Sequence, residues 1–150
     1  MRIDAFLEQS PMFAIQRASR RVETLTASSL AASPGSSDSL SFLEGLVLAA
    51  IFFEAPQPVK PSQLAETFAT TRGNISHCLS SLEGKGFLLR KIDPEDARAY
   101  LLSLKPQGKR HAIRVIGAFD RLQKECEDAL GKAALKQMLG SLRRLEAISV

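Results

Sequence analysis

Apolar residues follow a helical spacing through much of this chain, interrupted once by a short β-prone hairpin. From residue 8 to residue 30 they recur at three- and four-residue steps with arginines between them, which predicts one long amphipathic helix. Residues 42 to 53 are apolar nearly all round, which predicts a helix buried in the middle of the fold. Ser41 and Glu44 have capping-box spacing at its start, and the serine-rich segment 33 to 39 before it has loop composition.

The middle of the chain predicts two short helices in close succession. Prolines between positions 56 and 61 end the buried helix and favour an extended Val59. Helical patterns then run from 61 to 68 and from 72 to 85 with only a short turn between them. Gly86 is the expected left-handed residue that ends the second of these helices.

A hairpin and two long helices complete the predicted elements. The runs 87 to 92 and 100 to 104 are β-prone and enclose a charged turn, which predicts an antiparallel hairpin. Amphipathic helical patterns follow from 106 to 129 and from 132 to 148.

The helix predicted at 72 to 85 has two distinct faces. At about 100° per residue, one stripe holds only apolar residues, namely Ile75, Cys78, Leu79 and Leu82. The opposite face holds small or polar residues, namely Gly73, His77, Ser80, Ser81 and Gly84. Small side chains there would let the helix lie deep in a DNA major groove, which is about 12 Å wide. This pattern, followed directly by the hairpin, is typical of a helix-turn-helix with a β-wing.

We therefore predict a mainly α fold with a small β-wing, in one domain spanning residues 1 to 150. The winged helix-turn-helix occupies residues 40 to 104, and amphipathic helices at 8 to 31 and 106 to 148 flank it. The flanking helices have no obvious partner within the chain, so we expect them to form a homodimer. A two-fold dimer would present two recognition helices to a palindromic operator in double-stranded DNA.

Charge is distributed unevenly and favours a polyanionic partner. The 150 residues carry a net charge of +4, but residues 60 to 114 alone hold ten Lys or Arg against five Asp or Glu. The basic surplus therefore lies in the segment that covers the predicted helix-turn-helix, the wing and the residues just after them.

The composition argues against an enzyme, a metal site and a membrane protein. His77 and His111 are the only histidines, and neither has carboxylate or cysteine partners at metal-site spacing. There is no glycine-rich phosphate loop or nucleophile elbow, so no cofactor is expected. The sequence has only two cysteines and no signal sequence, and no apolar run approaches the roughly 20 residues that cross a bilayer. These features predict a soluble, cytoplasmic protein.

Several motifs resemble those of the MarR family of bacterial transcriptional regulators. They are Leu40-Ser41-x-x-Glu44, Pro61-Ser62-x-Leu64-Ala65, Ile75-Ser76-x-x-Leu79-x-x-Leu82-Glu83-x-Lys85-Gly86-Phe87, Arg90, Asp93-Pro94-Glu95-Asp96-Ala97-Arg98 and Leu104-x-Pro106-x-Gly108. The acidic wing motif that ends at Arg98 is the most specific of them. The resemblance implies a DNA-binding regulator, most often a repressor, that works as a dimer of triangular outline.

The resemblance also implies roles for individual residues. It puts Arg98 in the minor groove, where the negative potential suits a guanidinium, and the helix at 72 to 85 in the major groove. Asp96 would orient Arg98 or tie the base of the wing, with Arg90 and Asp93 as further wing support. His77 stands where many relatives carry arginine. The expected DNA contacts are Ser62, Gln63, Thr71, Arg72, Gly73, Asn74, Ser76, His77, Ser80, Ser81 and Arg98.

Many members of the family bind a small, often aromatic ligand between the dimer helices and the winged helix. By analogy, the walls of such a crevice would come here from the first helix, the buried helix and the start of the helix at 106. The candidate ligand-binding residues are Ile15, Ala18, Val22, Leu46, Phe52 and Phe53.

Two alternative interpretations stay open. A winged helix that has lost DNA binding could serve as a protein-interaction module, which His77 and the small polar face would allow. An oxidant-sensing regulator would use Cys78, although a thiol on the core stripe is usually inert. In relatives that sense oxidants the thiol lies in the first helix, where this chain has none.

Overall fold

The computed structural model describes residues 2 to 30 and 39 to 148, which form a mainly helical chain with one small sheet. Their elements are α1 (Arg2–Glu8), α2 (Pro11–Leu30), α3 (Phe42–Glu54), α4 (Pro61–Thr67), α5 (Arg72–Gly84), β1 (Leu88–Ile92), β2 (Tyr100–Leu104), α6 (Pro106–Leu130) and α7 (Lys132–Glu146). This order confirms the predicted fold class and the predicted elements from α3 onward. No helix within the two described ranges is both long and apolar enough to cross a membrane.

The core forms around α3, which packs against α5, β2 and α6. Val47 and Leu48 of α3 and Leu82 of α5 are completely buried in it. All four residues of the apolar stripe predicted for α5 are at most 4% exposed, which confirms how its faces were assigned. Full burial of such a side chain stabilises a fold by roughly 1.5 to 3 kcal/mol, so this stripe fixes which face of α5 points outward.

A short bridge ties the wing to the linker before α4. β1 and β2 pair antiparallel, with Ile92 opposite Tyr100 near the turn. The Leu102 N–H donates to the Val59 carbonyl at 2.9 Å, so Val59 adds a one-residue third strand. This contact confirms the expectation that Val59 is extended and holds the root of the wing against the core.

The helix predicted from about residue 8 to residue 30 is present as α2, but it begins three residues later than predicted, and α1 was not predicted. The chain forms α1, breaks at residues 9 and 10, and begins again as α2 at Pro11. Pro11 has no N–H to continue the ladder of α1, and its ring disfavours a helical conformation at Ser10. Ser10 Oγ instead accepts a hydrogen bond from the Phe13 N–H at 3.4 Å. The Ser-Pro pair thus sets the start of α2. The predicted loop at 33 to 39 lies outside the described residues except for Ser39.

The flanking helices leave much of their apolar surface uncovered in the single chain. α7 buries none of its side chains, and Met138 and Leu139 are 43% and 47% exposed. The apolar stripe predicted for α2 is also largely exposed, and only Thr26 and Leu30 of that helix are buried. Amphipathic helices of this kind stabilise a fold when another surface covers them.

The expectation that α3 is buried along its whole length is wrong at its C-terminal end. Phe53 is 68% exposed and Phe52 is half-buried. Phe53 lies in the last turn of α3, and the residues that follow it, 54 to 58, are all exposed, so no packing layer covers the ring. An apolar run shows that a helix is buried but not where its packing partners stop.

Phe87 connects the wing to α6 through backbone and ring contacts. Gly86 adopts a φ of 74°, which confirms the predicted left-handed residue after α5 and turns the chain into Phe87. The Lys105 N–H donates to the Phe87 carbonyl at 3.0 Å, and the His111 ring stacks on the buried Phe87 ring with centroids 4.2 Å apart. At Gly108, in the first turn of α6, a Cβ atom would collide with the same carbonyl. The start of α6 can approach this closely only because residue 108 is glycine.

Gly108→Ala should therefore destabilise the protein by about 1 to 3 kcal/mol, because the added methyl forces α6 away from Phe87. The measurement is the free energy of unfolding in urea, followed by circular dichroism. Gly84→Ala is the matched control, because a Cβ there has no atom within 4 Å, and it should not lower stability. Equal losses in both variants would contradict the close-approach explanation.

Candidate nucleic-acid interface

The exposed face of α5 begins at a well-formed cap. Thr71 Oγ1 accepts a hydrogen bond from the Asn74 N–H at 3.1 Å, and the Asn74 side-chain amide donates to Thr70 Oγ1 at 3.1 Å. These bonds fix the first turn of the helix. All the predicted contact residues from the cap through the second turn are exposed, namely Thr71, Arg72, Gly73, Asn74, Ser76 and His77.

The two serines later in α5 make contacts inside the protein. Arg90 Nη2 of β1 donates to Ser80 Oγ at 2.9 Å, and its Nε lies 3.0 Å from a Glu83 carboxylate oxygen. Arg90 therefore holds β1 against the last turns of α5. Ser81 is half-buried, and its side chain helps to lower the pKa of the nearby Glu44 carboxyl. The polar side chains of α5 that can contact another molecule therefore lie mainly in its first two turns.

At the start of α4, two predicted contact residues are exposed, but only one of them has a side-chain hydrogen bond. The Gln63 side-chain oxygen accepts a hydrogen bond from the Lys60 N–H at 2.7 Å, so half of its amide serves as a helix cap. Ser62 is exposed, and its hydroxyl makes no hydrogen bond with the residues that the structure describes. Ser62 thus remains available to an external acceptor.

Carboxylates of the wing turn hold its backbone in place. Asp93 Oδ1 accepts from the Glu95 N–H and Asp96 Oδ1 accepts from the Arg98 N–H, each at 3.0 Å. Asp96 thus fixes the backbone of Arg98. The Arg98 guanidinium is exposed and has neither a hydrogen bond nor an ion pair among the described residues.

An ion pair joins the wing to the residue before α4. Lys60 Nζ lies 2.7 Å from Asp93 Oδ2, and the Asp93 side chain is only 6% exposed. The Lys60 ammonium, together with the Glu95 N–H, lowers the pKa of the Asp93 carboxyl, and Asp93 in turn raises the pKa of Lys60. With the Arg90 contacts, this pair attaches the wing to the helix-turn-helix at two separate points.

A more buried ion pair fixes the C-terminal end of α5. Lys85 Nζ lies 2.7 Å from Glu44 Oε1 and donates to the Ser39 carbonyl at 2.9 Å. The Ser41 N–H donates to Glu44 Oε2 at 2.7 Å, which confirms the predicted capping box. Burial acts to raise the pKa of Glu44, but hydrogen bonds from Lys85, Ser81 and the Ser41 N–H outweigh it, so that the pKa is lowered.

Three residues that support this surface were missed in the sequence, namely Lys60, Glu83 and Lys85. Each forms an ion pair with a residue on another element, and no local spacing relates the two partners. Glu44 did carry a signal, through its capping box, but that signal gives no information about Lys85. Charges that pair across a turn or a fold are recognisable only when the elements are in position.

The candidate ligand-binding residues are divided between different surfaces. Phe52 lines a groove with a volume of about 520 Å³ between the C-terminal end of α3 and β2, whose other walls include Ile51, Pro56, Leu102, Leu104 and Lys109. Ala18 lines a separate, open concavity on α2. Ile15 and Leu46 are half-buried, and Val22 and Phe53 are exposed. Within the described part of this single chain, the six residues do not share one pocket.

Cys78 lies in the core, where its thiol is protected. Burial, with the nearby Glu44 carboxylate, raises the pKa of Cys78 to about 12. The thiolate is the form that reacts with oxidants, so at neutral pH this residue is unreactive. Across residues 2 to 30 and 39 to 148, no group of three His, Cys, Asp or Glu side chains is arranged to hold a metal ion.

Helices α4 and α5, the hairpin and the flanking helices together define a winged helix-turn-helix protein. Residues 46 to 100 match the model of the MarR family.

Two curated relatives agree with this assignment. One is an uncharacterized HTH-type transcriptional regulator of Bacillus subtilis, YkoM, which is 30% identical over 95 residues. That alignment covers 58% of this chain and 60% of the relative. The other is a putative transcriptional regulatory protein for the hcr operon of Thauera aromatica, 31% identical over 84 residues, with 56% of this chain and 51% of the relative covered. The chain thus spans about half to three fifths of these relatives. Both are described as transcriptional regulators, which supports the expectation that the chain is not an enzyme.

Solved structures share the fold at low sequence identity. MepR of S. aureus in its DNA complex has a TM-score of 0.82 at 17% identity, over 92% of this chain and 97% of that one. PcaV of Streptomyces coelicolor, in complex with its natural ligand, has a TM-score of 0.80 at 22% identity, over 93% and 94% of the two chains. The repressor CouR, bound to a 23-mer DNA duplex, has a TM-score of 0.74 at 24% identity, over 93% and 94%.

Glu44→Gln should destabilise the protein by about 1 to 3 kcal/mol at neutral pH, because partly buried Lys85 loses its charged partner. The lowered pKa of Glu44 means that its ionisation stabilises the fold above the ordinary value of 4.5. That stabilisation is lost as the pH falls through the folded-state pKa. The difference in free energy of unfolding between wild type and variant should therefore shrink below about pH 4.5.

The measurement is urea unfolding at a series of pH values. Glu66→Gln is the control, because Glu66 is exposed on α4 and makes no ion pair among the described residues. It should differ little from wild type at any pH. A deficit of Glu44→Gln that stays constant down to low pH would contradict the ion-pair explanation.

Proposed function

We propose that this protein is a homodimeric, sequence-specific DNA-binding regulator. In this proposal the first two turns of α5 enter the major groove and Arg98 enters the adjacent minor groove. The observation that carries it is that Arg72 and Arg98, which make no ion pair among the described residues, line one notch between α5 and the wing. The negative phosphates of DNA attract arginines that have no partner within the protein, and α5 and the wing can fit into its grooves.

The comparisons support the same function. The MepR and CouR structures named above contain DNA, and they resemble this chain over more than nine tenths of its length. Residues 60 to 114 carry ten basic against five acidic residues, and four of the basic ones, Lys105, Lys109, Arg110 and Arg114, lie at or just before the start of α6. The other expected contacts are Ser62, Gln63, Thr71, Gly73, Asn74, Ser76 and His77, whereas Ser80 and Ser81 would contribute mainly by supporting the helix.

A homodimer accounts for the exposed apolar faces of the flanking helices. Met138 and Leu139 of α7 and Ile113 of α6 are each more than 40% exposed in the single chain. Pairing of these faces would bury them and give a two-fold assembly. Such a dimer would present two copies of α5 to a palindromic operator.

We further propose that the regulator is a cytoplasmic repressor that responds to a small ligand. The groove at Phe52 has a volume typical of small-molecule sites and touches both α3 and β2. A ligand bound there would contact β2 of the wing directly, and residues of the dimer helices would complete the site. Its largely apolar lining favours a small aromatic compound.

The two alternative functions make different predictions. A protein-interaction module would form no salt-sensitive complex with DNA, whereas a DNA-binding regulator loses affinity steeply as salt rises. An oxidant sensor based on Cys78 is disfavoured because the raised pKa keeps the thiol protonated. Cys78→Ser should therefore leave the response of DNA binding to peroxide unchanged.

Arg98→Ala and Arg72→Ala should each weaken binding to the operator by about 1 to 3 kcal/mol, because each removes a cation from the DNA-facing surface. Fluorescence anisotropy with the DNA upstream of the protein's own gene measures the dissociation constant over a range of salt. The control is Lys124→Ala, the same change of charge on α6, roughly 27 Å along that helix from Pro106. If neither arginine variant differs from this control, or no complex forms, the proposed function is wrong.

Leu139→Glu should convert the dimer to monomer, because a carboxylate would have to be desolvated at the apolar surface of α7. Sedimentation equilibrium measures the change, and loss of operator affinity should accompany it. Ile92→Glu is the control, because Ile92 is a similarly exposed apolar residue on the wing and should leave the dimer intact. A monomeric wild type, or an Leu139→Glu variant that remains dimeric, would contradict this assignment of the interface.

A further inference from the structure

The notch between the helix-turn-helix and the wing has the chemistry of an anion site. It has a volume of about 370 Å³ and brings together residues from three elements, among them Ser62, Arg72, Arg98 and Tyr100. Ser62 comes from the first turn of α4, Arg72 from the first residue of α5 and Tyr100 from the first residue of β2. All four side chains are exposed, and all four carry hydrogen-bond donors.

Asp96 also lines the notch, and its carboxylate accepts the Arg98 N–H but makes no ion pair among the described residues. Asp93, just behind the notch, is paired with Lys60. The guanidinium groups of Arg72 and Arg98, by contrast, have no ion pair among the described residues. The Lys60–Asp93 pair also attaches the wing to α4, so it sets the distance between the two sides of the notch.

The geometry of duplex DNA identifies the anion. A major groove and the adjacent minor groove are separated by one sugar–phosphate strand. If α5 lies in the first groove and Arg98 in the second, that strand has to cross the surface between them. The notch is that surface, since α5 contributes Arg72 to one side of it and the wing contributes Tyr100 to the other.

We propose that the notch binds one backbone phosphate of each operator half-site, and that Tyr100 is a DNA-contacting residue. This inference rests on the proposed function. Arg72 supplies the charge, and the hydroxyls of Ser62 and Tyr100 donate the further hydrogen bonds. Arg98 continues past this phosphate into the minor groove. The contact carries no sequence information itself, but it fixes the register of α5 against the bases.

The test uses short operator duplexes in which one phosphate at a time is replaced by a neutral methylphosphonate. The operator is first selected from a random duplex library with the purified wild-type protein. For wild type, one position in each half-site should weaken binding by roughly 5- to 20-fold when neutralised. At that same position the loss should fall to within about twofold for Arg72→Gln, and it should be reduced for Tyr100→Phe and Ser62→Ala.

Tyr100→Phe should itself weaken binding to the unmodified operator by about 3- to 10-fold, because it removes one hydroxyl donor and no charge. The salt dependence should be unchanged for Tyr100→Phe and lower by about one ion for Arg72→Gln. Lys124→Gln should retain the wild-type methylphosphonate profile. Thermal unfolding of each variant checks that it is folded, and all three substituted side chains are exposed.

Different failures have different meanings. If the wild type binds its operator but the three variants lose sensitivity at different phosphates, or at none, the notch is not a single phosphate site and the proposed function still stands. If Tyr100→Phe binds as tightly as wild type, its role in the notch is likewise overturned. If the library yields no operator and no duplex is bound, the proposed function fails and this inference fails with it.

Discussion

The close approach of Phe87 and Gly108 connects the two parts of the molecule. Phe87 is completely buried, its carbonyl accepts from the Lys105 N–H, and its ring stacks on His111 of α6. These contacts determine the angle at which α6 leaves the wing, and α6 leads to the helices whose apolar faces remain uncovered. The start of α6 therefore packs against the residue that leads into the wing with almost no free space.

The exposed surface depends on ion pairs that lie just behind it. Lys60–Asp93 and Lys85–Glu44 join segments that are distant in sequence, and Arg90–Glu83 joins the consecutive elements β1 and α5. They hold α5 and the wing in a fixed relation, while Arg72 and Arg98 remain free of partners among the described residues. The basic residues that stabilise the fold through ion pairs are thus different from Arg72 and Arg98, which are available to a polyanion.

Particular elements show where sequence patterns were sufficient. The Ser41–Glu44 capping box, the buried stripe of α5 and the left-handed Gly86 were all predicted correctly, because each depends on residues within one or two turns. The start of α2 was placed about three residues too early, although Ser10 and Pro11 carry a local signal for it. The exposure of Phe53 had no such signal, because it depends on which elements pack beside the end of α3.

By itself, the sequence determined the order of elements from α3 to α7, the faces of α5 and the acidic turn that precedes Arg98. Short-range spacing, capping and turn chemistry are sufficient for these features. Only the tertiary structure decided that Ser80 accepts a hydrogen bond from Arg90, that Ser81 lies near Glu44, and that Tyr100 shares a notch with Arg72. Such contacts join residues on different elements, so they exist only after the core has set those elements in position.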